Sequence, residues 1–119
     1  MTQVKEWSNQ ELNRKLAELM GWQAGGDPNK QRDFVWWVDD NRFRLPEKWE
    51  PCTDPAASLE VQTAACKVDG ERYIWELAII QGWVGGKIIS RKEGVRIATA
   101  IPRERAEAAY ITLQGAVNT

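Results

Sequence analysis

Tyr73-Ile74-Trp75-Glu76-Leu77-Ala78-Ile79-Ile80 is an eight-residue apolar run broken only by Glu76. β-Branched and aromatic side chains dominate it, which suits a strand buried on both faces. It reads as a central strand with Trp75 in the sheet core; a buried helix segment is the alternative for a run of this length.

Downstream, Gly82, Gly85 and Gly86 break the chain around Trp83-Val84, reading as a glycine-rich hairpin turn. Lys87-Ile88-Ile89-Ser90 resumes as a strand, Arg91-Lys92-Glu93-Gly94 turns, and Val95-Arg96-Ile97-Ala98 alternates as another strand. Pro102 opens a last helix with Ala106, Ala109, Tyr110 and Leu113 inward and Gly115 at its end. Upstream, Thr53-Asp54-Pro55-Ala56-Ala57-Ser58-Leu59-Glu60 writes a helix start in full. Asp54 can accept the first free backbone N–H groups, and Pro55 gives up one that had no partner. That helix carries the stripe Ala57, Val61, Ala64, Ala65 and Val68, and Asp69-Gly70 closes it.

A first helix is equally well marked. Ser8 and Glu11 make a capping box, Trp7 and Leu12 hold the staple positions, and Leu12, Leu16, Leu19 and Met20 repeat at helical spacing. Gly21 is the natural stop, after which Trp22 folds back onto the core. Between these helices lies an aromatic insert, residues 23–51. Gly25-Gly26-Asp27-Pro28-Asn29 is turn chemistry, Phe34-Val35-Trp36-Trp37-Val38 is a short strand, and Arg42-Phe43-Arg44-Leu45 pairs back after Asp39-Asp40-Asn41. The whole chain, 1–119, is predicted as a single α+β domain. Its predicted architecture is an α-β-α layered sandwich, with three helices and a small, mainly antiparallel sheet of three to five strands.

Composition narrows the chemistry. The chain has no histidine, which removes Ser-His-Asp and Cys-His nucleophile systems and imidazole acid–base catalysis. The net charge of -1 disfavours general binding of long nucleic acid, which needs a basic excess. No apolar run approaches the roughly 20 residues of a membrane span, and the start carries no signal-peptide pattern, so a cytoplasmic location is expected. Cys52 and Cys66 would be about 18 Å apart if the helix from Asp54 runs between them, too far for a disulfide. Both read as free thiols, with Cys66 buried. No metal or cofactor is expected.

The chain resembles the small bacteriophage proteins of the phage ABA sandwich domain family. Its members open with a helix ending in a Gly-Trp pair, here Gly21-Trp22, followed by a tryptophan-containing insert. A Pro-Tyr-Ser-Thr-Asp-like element then precedes an alanine-rich helix, here Pro51-Cys52-Thr53-Asp54-Pro55-Ala56-Ala57. An Ala-Thr-Ala-Pro-like approach leads to the last helix, here Ala98-Thr99-Ala100-Ile101-Pro102. The resemblance spans roughly residues 8–114 and departs from the pattern at Cys52, where an aromatic is usual, and at the inserted Ile101. It implies α-β-α layering and a phage or prophage origin, and it brings no established activity and no catalytic residues.

Seven tryptophans are the compositional outlier, and Trp36, Trp37 and Trp49 of the insert are the informative ones. Adjacent Trp36 and Trp37 on a strand point to opposite faces, so at most one fills the core easily. With Phe34, Phe43, Arg42, Arg44 and Lys48 interleaved, three uses stay open: a satellite core, a hot spot for a protein partner, or stacking on a small ligand such as a nucleobase. Five acids against three bases between Asp33 and Glu50 would repel a polyphosphate tract. Trp36, Trp37, Arg42, Arg44 and Trp49 are therefore the candidate site of a non-enzymatic accessory protein. Its partner would be a nucleotide-like small molecule, sequestered as a host defence signal, or a host or phage protein that is blocked or recruited. An exposed aromatic strand could also pair two copies.

Other motifs are weaker. Gly82–Lys87 lacks the length and the hydroxyl of a phosphate loop. Asp39-Asp40 reads as a turn before a carboxylate pair or metal site. Arg103 and Arg105, in the first turn of the last helix, read as an exposed face offset by Glu104 and Glu107 before an anion site.

Overall fold

Ser8 opens the first helix, α1 (Asn9–Leu19), by accepting the Glu11 N–H at 3.1 Å. Gly21, at φ +86°, ends it: the Gly21 N–H reaches the Glu18 carbonyl and the Trp22 N–H the Ala17 carbonyl, the paired bonds of a Schellman stop. Leu12, Leu16 and Ala17 are fully buried between these ends, so both boundaries of α1 follow the sequence reading. The computed structural model describes residues 4–86 and 88–117.

Asp54 caps α2 (Pro55–Ile80) through the Ala56 N–H at 3.2 Å, and Ala57, Ser58, Val61 and Ala65 line its inner face. Asp69 leaves helical geometry where the sequence predicts the end. Its carboxylate then accepts the Arg72 N–H at 3.1 Å and starts a second helical length through Ile80. The central strand predicted over 73–80 is therefore helix. On a strand, Tyr73, Trp75, Leu77 and Ile79 would share one face. Here Tyr73 and Leu77 are fully buried, whereas Trp75 and Ile79 are 40% and 50% exposed, the fate of residues on a 3.6-residue period. Trp75 is accordingly not in a sheet core.

Gly82 (φ +99°) does not turn a hairpin. It stops α2 as Gly21 stops α1, with Gly82 N–H on the Ile79 carbonyl and Trp83 N–H on the Ala78 carbonyl. Of the strand predicted at 87–90, Lys87 lies outside the described residues and 88–90 form no strand. The turn and strand predicted over 91–98 are one helix, α3 (Arg91–Ala98). Ser90 accepts the Glu93 N–H and its hydroxyl donates to the Glu93 carboxylate, a capping box that outweighs the alternation of 95–98. Helix α4 (Pro102–Val117) begins at its proline and runs two residues past Gly115.

The sheet comes wholly from the insert: β1 (Gln23–Gly25), β2 (Val35–Trp37) and β3 (Phe43–Arg44), antiparallel in that order. Strand β1 replaces part of the turn read there. Trp37 pairs with Gln23 and Phe43, and Trp36 with Ala24 and Arg44. The fold is thus α+β, with four helices and a three-stranded antiparallel sheet among the described residues. The helices meet one another directly: α4 packs on α2 and α1, and its Ala106, Ala108 and Ala109 allow close approach.

Arg103 and Arg105 belong to this packing, contrary to the exposed face read for them. Arg103 donates to Glu107 (2.7 Å), to Asn9 Oδ1 and to the carbonyls of Val4 and Trp7 (2.9 Å each), pinning Val4, Trp7 and the start of α1 to α4. Arg105 reaches the buried Ser58 hydroxyl at 3.3 Å. The molecule measures 51 × 28 × 24 Å, with a radius of gyration of 15.1 Å. A compact chain of this length would have about 13.5 Å. No helix among the described residues is long and apolar enough to cross a membrane.

Candidate functional site

Phe34 and Trp36 stand two residues apart, on one face of the strand segment, with rings 5.1 Å apart and edge to face. Trp49 follows a 3₁₀ turn (Pro46–Lys48) and packs against Trp22, whose position the Gly21 stop fixes, at 4.5 Å. Together Phe34, Trp36 and Trp49 floor a cleft of about 640 Å³ between the start of α1 and the insert. Trp36 and Trp49 are 4% and 2% exposed, so the floor is also core. The Trp49 Nε1–H is buried without a hydrogen-bond partner.

Charge decorates the rim. Glu11 comes from α1, and Asp33, Glu47 and Glu50 from the insert, against Arg14 and Arg32. Arg32 is already committed: its Nε donates to Glu47 and its Nη1 to Asp27 at 3.3 Å. Asp27, with its side chain fully covered, also accepts the N–H groups of Asn29 (2.9 Å) and Gln31 (3.1 Å). These bonds, first that from Asn29, hold its carboxyl below the usual range, although burial opposes them. Glu47 is held low by its own backbone N–H and then by Arg32. Its own N–H and Arg32 thus keep Glu47 in its charged form, and the rim sets four carboxylates against two guanidiniums over an aromatic floor.

The five residues predicted as one site do not converge. Trp36 and Trp49 share the cleft floor. Trp37 takes the opposite face of the sheet, half-buried, with its Nε1–H on the Gly26 carbonyl at 3.2 Å and its ring 5.1 Å from Phe43. Arg42 pairs with Asp39 at 2.7 Å in the hairpin turn, and that carboxylate also accepts the N–H groups of Asn41 and Arg42. Arg44 lies 5.3 Å above the Trp22 ring and pairs with Glu60 of α2 at 3.1 Å. Both arginines are therefore engaged away from the floor.

Sequence reasoning missed Arg14, Arg32 and Glu11 as neighbours of the tryptophans. The Arg32–Glu47 pair joins residues too far apart for any local pattern to flag; only the Asp27 turn signals that this loop is fixed. Burial pushes the Cys52 thiol up to about 11, with Arg103 partly opposing it. Cys66 is exposed, contrary to expectation, because it sits one residue past the buried Ala65 on α2. Among the described residues, no group of three or more Cys, Asp or Glu side chains is placed to hold a metal ion. No protein-family model, curated protein or solved structure matches the chain.

Proposed function

We propose that the protein is a non-enzymatic binding module whose site is the cleft between α1 and the insert, and that the site takes a basic, partly apolar segment of a protein partner. One observation carries this: an aromatic floor of Phe34, Trp36 and Trp49 lies under a rim with four carboxylates and two guanidiniums, one of them tied to Glu47. Lysine or arginine side chains gain from both the carboxylates and the half-exposed Phe34 ring, against which apolar side chains can also pack. A nucleotide-like ligand suits the cleft less well. Its phosphates would meet the carboxylates, and Arg42 and Arg44 are engaged elsewhere. The resemblance to phage ABA sandwich proteins supports a setting in an infected bacterial cytoplasm, where such a module blocks or recruits a host or phage protein.

Intrinsic tryptophan fluorescence tests the reading. A tryptophan-free peptide alternating lysine or arginine with isoleucine or valine should change the emission saturably, and less so at high salt. Charge reversal at the rim, Glu11→Lys with Glu50→Lys, should abolish the change. A thermal shift with mono-, di- or cyclic nucleotides and no response to the peptide would overturn it.

A further inference from the structure

The chain carries a segment of the chemistry its own cleft would accept. After the α2 stop, the sequence from Trp83 to Arg96 contains Lys87, Arg91, Lys92 and Arg96 against the single acid Glu93. Three of its apolar side chains are uncovered: Val84 is 99% exposed, Ile88 82% and Val95 64%. Helix α3 buries no residue fully. A chain that leaves large aliphatic side chains in water on a basic segment presents a surface that gains by being covered.

We propose that the occupant of the cleft is this segment, around Val84–Arg96, of a second copy of the chain. Charge complementarity selects it, basic segment against acidic rim, and the apolar side chains supply the cover for the half-exposed Phe34. The described residues of the segment are exposed or half-exposed in their own molecule and none of them lines its own cleft, so both surfaces are open to a neighbour. Segment and cleft are different surfaces, so the contact is heterologous and propagates head to tail, into a closed ring or an open chain. This inference rests on the cleft being a binding site for basic, apolar segments.

Sedimentation velocity of the full chain tests it, with two double variants altered only at exposed side chains. One removes the donor charges (Arg91→Glu, Lys92→Glu) and the other the rim (Glu11→Lys, Glu50→Lys). The wild type should exceed its monomer mass of 13.6 kDa as concentration rises and return to it at high salt. Each variant alone should associate roughly tenfold or more weakly. An equimolar mixture of the two should form a dimer that grows no further, because one supplies an intact segment and the other an intact cleft. A wild type that stays monomeric overturns the inference; if the basic peptide still binds, the cleft reading survives, and if it does not, both fall. Self-association lost in the segment variant but unchanged in the rim variant would also overturn it, since it would mean segment-to-segment pairing.

Discussion

Gly21-Trp22 and Gly82-Trp83 stop two helices with the same pair of backbone bonds, and the two tryptophans then meet opposite fates. Trp22 is 7% exposed, packed on Trp49 with Arg44 above its ring. Trp83 rests edge-on against Trp75, itself 40% exposed, and the chain beyond leaves Val84 in water. A left-handed glycine followed by an apolar residue is enough to end a helix. Whether the following ring becomes core depends on what later chain covers it: the insert at the first stop, and nothing comparable among the described residues at the second. One helix stop is therefore packed under the insert and the other is left half-open.

Several substitutions would break or sharpen that contrast. The largest effect is expected at the tryptophans. Trp22→Ala should cost about 3–5 kcal/mol in urea unfolding, by emptying a packed site. Trp83→Ala should cost less than about 1 kcal/mol. Equal costs would erase the distinction between the two stops. Arg103→Ala comes next, at about 2–4 kcal/mol, because it strands the buried Glu107 and frees the Val4 and Trp7 carbonyls. The loss should be read from the same unfolding curves; a change below about 0.5 kcal/mol would show that this network does not hold the start of α1 on α4.

Gly25→Ala probes the insert more gently. An added Cβ would lie 2.5 Å from Trp37 Cδ1, so the indole must move off Gly25-Gly26, at a cost of about 1–3 kcal/mol. Near-ultraviolet circular dichroism should report the displaced ring. Acid should loosen the same region first. The folded state holds the carboxyls of Asp27 and Glu47 below their ordinary values, so it binds fewer protons than the unfolded chain as they titrate. Their stabilisation is complete above about pH 5 and is lost as pH falls through about 4 toward the folded values. A melting temperature unchanged from neutral pH to pH 3 would contradict this. The gentlest contrast is chemical: an alkylating reagent at neutral pH should label exposed Cys66 and leave Cys52 untouched until urea unfolds the chain.

What the sequence could tell follows the range of the interactions involved. Local chemistry was legible: the Ser8 and Asp54 caps, the Gly21 stop, the Pro102 start and the β2–β3 hairpin lie where reading residues within a few positions puts them. The 73–80 run was misread because a short apolar run suits a strand or a buried helix equally, and only contact with α4 decides. The Ser90–Glu93 capping box was present in the sequence and could have rescued α3. In the site, opposite facing of Trp36 and Trp37 followed from strand geometry. The rim did not, because Glu11 comes from α1 while Arg32 and Glu50 come from distant parts of the insert. Arg103 was misread for the same reason: its partners Val4, Trp7 and Asn9 lie at the far end of the chain.

A peptide of residues 84–96 contains no tryptophan, so the protein's own emission reports its arrival. Titrated into the full chain, it should shift that emission saturably, and the Glu11→Lys, Glu50→Lys variant should show no shift. An emission that does not change, or one that changes equally in the rim variant, would contradict a cleft built to take a basic, apolar segment.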